Sequence, residues 1–276
     1  MSHPDNVPST SSAQRGFEVL DAEHLDARLN AVRDALRLCP TEVPASLSIP
    51  AHKALDAVAQ RLALGVDHTV VALFGGTGSG KSSLFNALTQ LNFADVGARR
   101  PTTSRAAACS WGDDAGPLLD FLGVSSERRI RRDSILDGED QGSMSGLVLL
   151  DVPDYDSVTT EHSLQVDRLV PLADILVWVV DPQKYADAAL HDGYLRGLGA
   201  RQEDMLVLVN QVDTLPESGL ASLLDDVGSL LKDDGLSQVQ VLPVSAVRGD
   251  NLDVVRSMLR QRVARESNAA RTASAE

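Results

Sequence analysis

Residues 75–82 read Gly-Gly-Thr-Gly-Ser-Gly-Lys-Ser and directly follow the apolar run Val70-Val71-Ala72-Leu73-Phe74. A glycine-rich stretch between a buried strand and a helix lets the backbone wrap closely around phosphate oxygens and aim its N–H groups at them. In that setting Lys81 reaches the β- and γ-phosphates and the Ser82 hydroxyl ligates Mg²⁺. Gly75, Gly76, Thr77, Gly78, Ser79, Gly80, Lys81, Ser82 and Ser83 make up the candidate cradle. The plainer alternative is a glycine-rich turn that ends in Lys-Ser by chance. The strand before it, and the helix begun by Ser83-Leu84-Phe85-Asn86-Ala87-Leu88, argue against that. The expected ligand is a nucleoside triphosphate.

Three later apolar runs end in residues of matching chemistry. Leu147–Leu150 leads into Asp151-Val152-Pro153-Asp154, and a carboxylate at such a strand tip can hold Mg²⁺ directly or through water. Met205–Val209 leads into Asn210-Gln211-Val212-Asp213, where an Asp accepts from the N1–H and exocyclic amine of guanine, a donor pair adenine lacks. The last run leads into Ser245-Ala246-Val247, whose backbone N–H groups are candidates to meet the guanine O6. Each motif alone arises readily by chance. Four in order, each at the end of an apolar strand, do not.

The elements that must position these loops alternate β and α. Candidate strands are His68–Phe74, Ala106–Trp111, Leu147–Leu150, Ile175–Val180, Met205–Val209 and Val239–Val244. The third to sixth are continuous apolar runs, as in parallel strands covered on both faces. Helices are expected near Leu164–Leu172, Ala186–Gly197, Leu220–Lys232 and Leu252–Glu266. The fold class is α/β: a doubly wound, mostly parallel six-stranded sheet whose ligands bind at the carboxyl ends of the strands. A small helical segment precedes it, one helix from Asp21 to Leu38 and, after Pro40, Pro44 and Pro50, a second from Ala51 to Leu64. The expected division is a disordered N-terminus at 1–16, the helical segment at 17–66, the nucleotide domain at 67–266 and a flexible tail at 267–276.

Composition narrows the partners. The 276 residues carry a net charge of −14, which argues against a broad nucleic-acid surface. Cys39 and Cys109 lie far apart without metal-ligand spacing and are expected to be reduced, half-buried thiols of a cytoplasmic protein. The run Arg128-Arg129-Ile130-Arg131-Arg132 is expected to be a solvated loop balancing nearby acids, a headgroup or partner contact being the alternative. His162 and His191 are expected to be exposed, and Trp111 and Trp178 to be packing residues.

From Asp67 to Arg265 the chain resembles the translation-factor class of GTPases, in its Era-like and dynamin-like group. In texture it is most similar to poorly characterised Era-like GTPases of actinobacteria, through Arg99-Arg100-Pro101-Thr102-Thr103 and Val180-Asp181-Pro182-Gln183-Lys184-Tyr185. The resemblance makes Gly75–Ser82 the first motif, Asp151 the start of the third, Asn210–Asp213 the fourth and Ser245–Ala246 the fifth. Their separations are 151 − 81 = 70, 210 − 151 = 59 and 245 − 210 = 35, the first leaving room for an insertion. It also implies a second-motif Thr that completes the Mg²⁺ shell, with Thr102 and Thr103 both candidates and Thr103 favoured. The implied ligands are GTP, GDP and Mg²⁺, with Ser82, Thr103 and Asp151 at the metal.

Departures from the family pattern bear on hydrolysis. Asp154 stands where the third motif normally has Gly, and Tyr155 follows it where a Gln would orient water. Gly78 replaces the Asn of potassium-activated relatives, and Gln211 replaces the Lys that usually packs over the base. The leading reading is a slow Mg²⁺-dependent GTPase acting as a switch, in which Lys81 neutralises developing charge and the Thr103 and Asp154 loops hold the attacking water. The alternatives are a GTP-regulated scaffold with little turnover, or the G domain of a dynamin-like membrane assembly. Expected partners are a protein effector or self-association through the switch loops, with peripheral contact at the inner membrane face. Transporter-ATPase and small-kinase signatures are missing from the sequence.

Overall fold

Strand β1 (Thr69–Gly75) is buried at every residue, and alternate side chains enter opposite layers. Val70, Ala72 and Phe74 face one core, Val71 and Leu73 the other. That period of two, with both faces covered, is why the strand reads as one unbroken apolar run. In this computed structural model residues 22–38, 44–63, 68–91, 105–132, 144–157 and 160–273 are described.

Around β1 lie β2 (Ala107–Trp111), β3 (Arg129–Arg132), β4 (Leu147–Asp151), β5 (Ile175–Val180), β6 (Met205–Val209) and β7 (Gln240–Pro243). The sheet order is β3-β2-β4-β1-β5-β6-β7, seven strands where the apolar pattern predicts six. Strands β4, β1, β5, β6 and β7 are mutually parallel, and β2 pairs antiparallel with β4. The mostly parallel, doubly wound α/β class holds. Two expected features do not: β7 is an edge strand that is only partly buried, and the additional strand is β3.

Strand β3 lies within the arginine run expected to be a solvated loop. It escapes hydrophobic periodicity because it pairs only with β2 at the sheet edge and sends Ile130 alone against the core. Its arginines bond to backbone carbonyls of neighbouring segments, Arg131 at the exposed surface. Arg129 Nε donates to Val124 O at 2.9 Å, Arg131 Nε to Gly112 O at 3.0 Å, and Arg132 to Thr89 O. Val124 follows helix α4 (Gly116–Leu122), which the sequence pattern misses, and Thr89 ends helix α3 (Lys81–Thr89). Guanidinium groups at helix carboxyl ends satisfy orphan carbonyls and complement the helix dipole.

Helix α3 and helix α8 (Leu252–Ala273) cover one face of the sheet through Leu84, Phe85, Leu88, Val255 and Leu259. Helices α4, α5 (Thr160–Leu169), α6 (Ala188–His191) and α7 (Glu217–Asp233) cover the other. The single helix expected over 186–197 is broken: α6 is one turn, and a 3-10 segment follows at Leu195–Asp204. At Gly193 a Cβ would lie 2.4 Å from Ala189 O, a closeness only glycine allows where the chain leaves α6. His191 and His162 are buried rather than exposed. His191 Nε2 donates to Tyr185 O at 2.8 Å and its Nδ1 faces Asp234, which also accepts from Arg196 Nε at 2.9 Å. Cys109 is fully rather than half buried, Cys39 lies outside the described residues, and Trp111 and Trp178 are packing residues.

Ahead of the sheet, α1 (Ala22–Leu38) pairs with α2 (Ala45–Ala63), which starts six residues before the expected position and holds Pro50 within it. Pro50 removes one backbone donor near the helix start without ending the helix. Among the described residues no helix is long and apolar enough to cross a membrane.

Helix α3 is fastened from behind by Arg256 on α8, which donates to Ala87 O at 2.6 Å and Leu88 O at 3.4 Å. Replacing Arg256 with Ala should lower unfolding free energy by about 2 kcal/mol, as for charge-assisted hydrogen bonds, measured by urea denaturation.

Candidate functional site

The parallel strands place the carboxyl ends of β1, β4, β5, β6 and β7 along one edge. The candidate cradle leaves β1 there and enters α3. Gly78 and Gly80 hold φ at +87° and +79°, left-handed values suited to glycine. Their amides have no acceptor among the described residues, and they lead directly into the amino end of α3. Backbone donors at such a terminus suit an anion.

Lys81, 2% exposed, points from the first turn of α3 between two buried carboxylates. Its Nζ donates to Asp151 Oδ1 at 2.9 Å and lies 3.2 Å from Asp154 Oδ1. Ser82 Oγ donates to Asp151 Oδ2 at 2.6 Å. Burial works to discharge Lys81, but the charges of Asp151 and then Asp154 outweigh it, so its pKa rises above the ordinary 10.5. The stability this contributes is therefore complete below pH 10.5 and falls only at still higher pH.

Asn210, 1% exposed, joins the loops after β6 and β7 to the candidate cradle. Its Nδ2 donates to Ser79 O at 2.9 Å and its Oδ1 accepts from Ala246 N at 3.1 Å. Gln211, with φ at 63°, reaches Gly78 O through Nε2 at 2.7 Å. Asp213 Oδ1 accepts from Ser245 Oγ at 2.6 Å, while Oδ2 has no hydrogen bond among the described residues. Of the three amides expected at a guanine O6, Ala246 N is spent on Asn210 and Ser245 N donates to Asp250 O at 3.3 Å. Val247 N has no acceptor among the described residues.

The Ser82–Asp151 pair offers hard oxygen donors of the kind Mg²⁺ takes, and phosphate and water oxygens normally complete such a shell. Thr102 and Thr103 lie outside the described residues. Ser83 follows Ser82 in the first turn of α3, and among the described residues its side chain makes no bond to the cradle.

Sequence reasoning missed a second set of contacts at the rim. Asp156 Oδ1 accepts from Thr77 N at 2.7 Å and from Thr77 Oγ1 at 2.9 Å. Lys184, in the loop after β5, donates from Nζ to Thr77 O at 2.8 Å and lies 3.8 Å from Asp156 Oδ2. No motif spacing announces these residues, since their partners are 79 and 107 positions away. Tyr155 is buried against Trp178 and Tyr194. That burial, aided by Asp187, Asp156, Asp181 and Asp154, pushes its phenol far above the usual range and keeps it protonated.

Residues 70–211 match the model of a family described as 50S ribosome-binding GTPase. The chain belongs to this GTPase family. Two solved structures of an oligomerised bacterial dynamin pair, described as sensing and tethering membranes, share its fold. One is 15% identical with a TM-score of 0.53 over 90% of this chain, the other 14% identical with 0.56 over 91%. The chain spans 52% and 45% of those chains, about half their length. Era bound to MgGDPNP and 16S ribosomal RNA is 19% identical over 70% of this chain and 56% of its own, at a TM-score of 0.47. No curated protein matches the chain.

A Cβ at Gly80 would sit 2.4 Å from Asn210 Nδ2 on a left-handed backbone, whereas one at exposed Gly228 in α7 meets nothing within 4 Å. Gly80→Ala should therefore destabilise by about 2 kcal/mol, and Gly228→Ala should stabilise by about 0.5–1 kcal/mol. Chemical denaturation of the two variants would register the opposite signs.

Proposed function

We propose that this protein is a slow Mg²⁺-dependent GTP hydrolase that works as a nucleotide switch. The observation that carries the reading is buried Lys81, held at the amino end of α3 between Asp151 and Asp154. An ammonium fixed there, beside loop amides that have no acceptor among the described residues, is built to exchange carboxylate for phosphate oxygen. Family membership supports nucleotide binding, and the unspent Asp213 oxygen supports guanine as the base.

On this reading the γ-phosphate displaces Asp154 from Lys81, and the cradle amides with Lys81 hold the phosphate oxygens. Ser82 and Asp151, with Thr103, would hold Mg²⁺, which supplies neutralising charge to the β- and γ-phosphates when bound. A water oxygen bonds to the γ-phosphorus as the bond to the β–γ bridging oxygen breaks. The bond's electron pair leaves with GDP, and the water's proton ends on the released phosphate. The Thr103 and Asp154 loops position that water, without a side-chain amide to help. Slow turnover and a need for a partner follow.

The displaced carboxylate also favours a second reading, a GTP-regulated binding module without useful turnover. Asp154 is 4% exposed, so moving it aside is a conformational event that a partner can sense. Self-association through the switch loops belongs to the same proposal, with the bacterial dynamin fold as its support. A phosphate-release assay with Mg²⁺ and GTP separates the readings. Wild type should release phosphate slowly and the Lys81→Ala variant none. Binding with no release above that variant, in all conditions, selects the module.

A further inference from the structure

Lys184 is fixed at its backbone and reaches across to the phosphate loop. The Asp181 carboxylate accepts from Gln183 N at 2.8 Å and Lys184 N at 3.1 Å, a local turn that sets the start of the side chain. The next residue, Tyr185, is anchored by its carbonyl to buried His191 at 2.8 Å. From this base Lys184 Nζ reaches Thr77 O at 2.8 Å, where Asp156 already grips Thr77 through N and Oγ1. Asp156 is two residues beyond Asp154, the carboxylate on Lys81. One short segment thus links the two lysines, one at the floor of the cradle and one at its rim.

The Lys184 ammonium has three donors, and the described residues take one. Its side chain is 52% exposed, and its ion pair with Asp156 at 3.8 Å is too long and too wet to hold it firmly. It is therefore poorly suited to stabilising the fold and well suited to moving onto an arriving anion. Its surroundings supply the need for a cation: Asp154, Asp156, Asp181 and Asp187 are all close enough to add to the burial of Tyr155 in raising its pKa. A triphosphate brought to that rim meets strong repulsion unless positive charge travels with it.

We propose that Lys184 is an in-chain charge-stabilising residue for phosphoryl transfer, carried to the γ-phosphate from its resting place on Thr77 and Asp156. This rests on the GTP hydrolase reading. As water attacks the γ-phosphorus and the bridging bond breaks, Lys184 stays protonated and donates N–H groups to the γ-phosphate oxygens. It supplies locally the charge that a side-chain amide or a partner's arginine would otherwise bring.

The test compares the full chain with Lys184→Ala and Lys184→Arg in single-turnover phosphate release, GTP and GDP titration, and retention of GDP by aluminium fluoride. The Ala variant should turn over about 100-fold more slowly, the usual effect of removing one charge-stabilising donor. It should lose aluminium-fluoride retention while binding GTP and GDP within about threefold of wild type, the signature of a group used mainly in the transition state. The Arg variant should recover much of both. Turnover within about twofold of wild type in Lys184→Ala, or loss of GDP affinity in step with turnover, would overturn the proposal by making Lys184 idle or structural. A wild-type chain that binds GTP and never hydrolyses it would overturn the hydrolase reading and this proposal with it.

Discussion

One buried ammonium between two buried carboxylates organises the carboxyl edge of this protein's sheet. Lys81 comes from α3, Asp151 from the end of β4 and Asp154 from the loop beyond it. Removing any charge from water costs several kcal/mol, so none of the three is tolerable alone. Ser82 takes the second oxygen of Asp151, which fixes the register of α3 against β4. The trio carries a net negative charge, so a triphosphate cannot simply be added to it. On the proposed reading one carboxylate gives way or is neutralised, and Asp154, on the loop rather than the strand, is the one we assign to move.

That dependence explains the architecture on either side. Asn210 ties Ser79 to Ala246, so the glycine-rich loop after β1 and the loops after β6 and β7 are braced by one buried amide. Arg256 holds the far end of α3 and Arg132 its last carbonyl. The arginines of β3, which look like a surface patch in the sequence, brace their neighbours too: Arg132 holds the end of α3, Arg129 the segment after α4, and exposed Arg131 the Gly112 carbonyl. What resembles a charge run is a set of helix and strand braces.

Much of the fold was legible because parallel strands buried on both faces leave long apolar runs that end abruptly in polar residues. Strands β4, β5 and β6 read directly, and so did the polar residues at their carboxyl ends. What escaped was whatever lacks that contrast. Strand β3 is Arg-Ile-Arg-Arg, an edge strand with one core side chain. Helix α4 is a short segment of seven residues. Asp156, Lys184 and the burial of His191 depend on partners 79, 107 and 43 residues away, and no local pattern encodes such a meeting. Asp154 was legible as a departure, but its partner Lys81 was not, because the sequence shows a carboxylate where glycine is usual and says nothing of where it turns.

On the proposed reading this edge recognises guanine nucleotide, with Lys81 and the cradle on the phosphates and Asp213 on the base. The most direct measurement is calorimetric titration of the full chain with GTP, GDP and ATP in Mg²⁺, repeated on Asp213→Asn. GTP and GDP should bind, with ATP about 100-fold weaker or worse, and the Asp213→Asn variant should lose about 10- to 100-fold in GTP affinity. Equal affinity for ATP and GTP, unchanged by that variant, would contradict it.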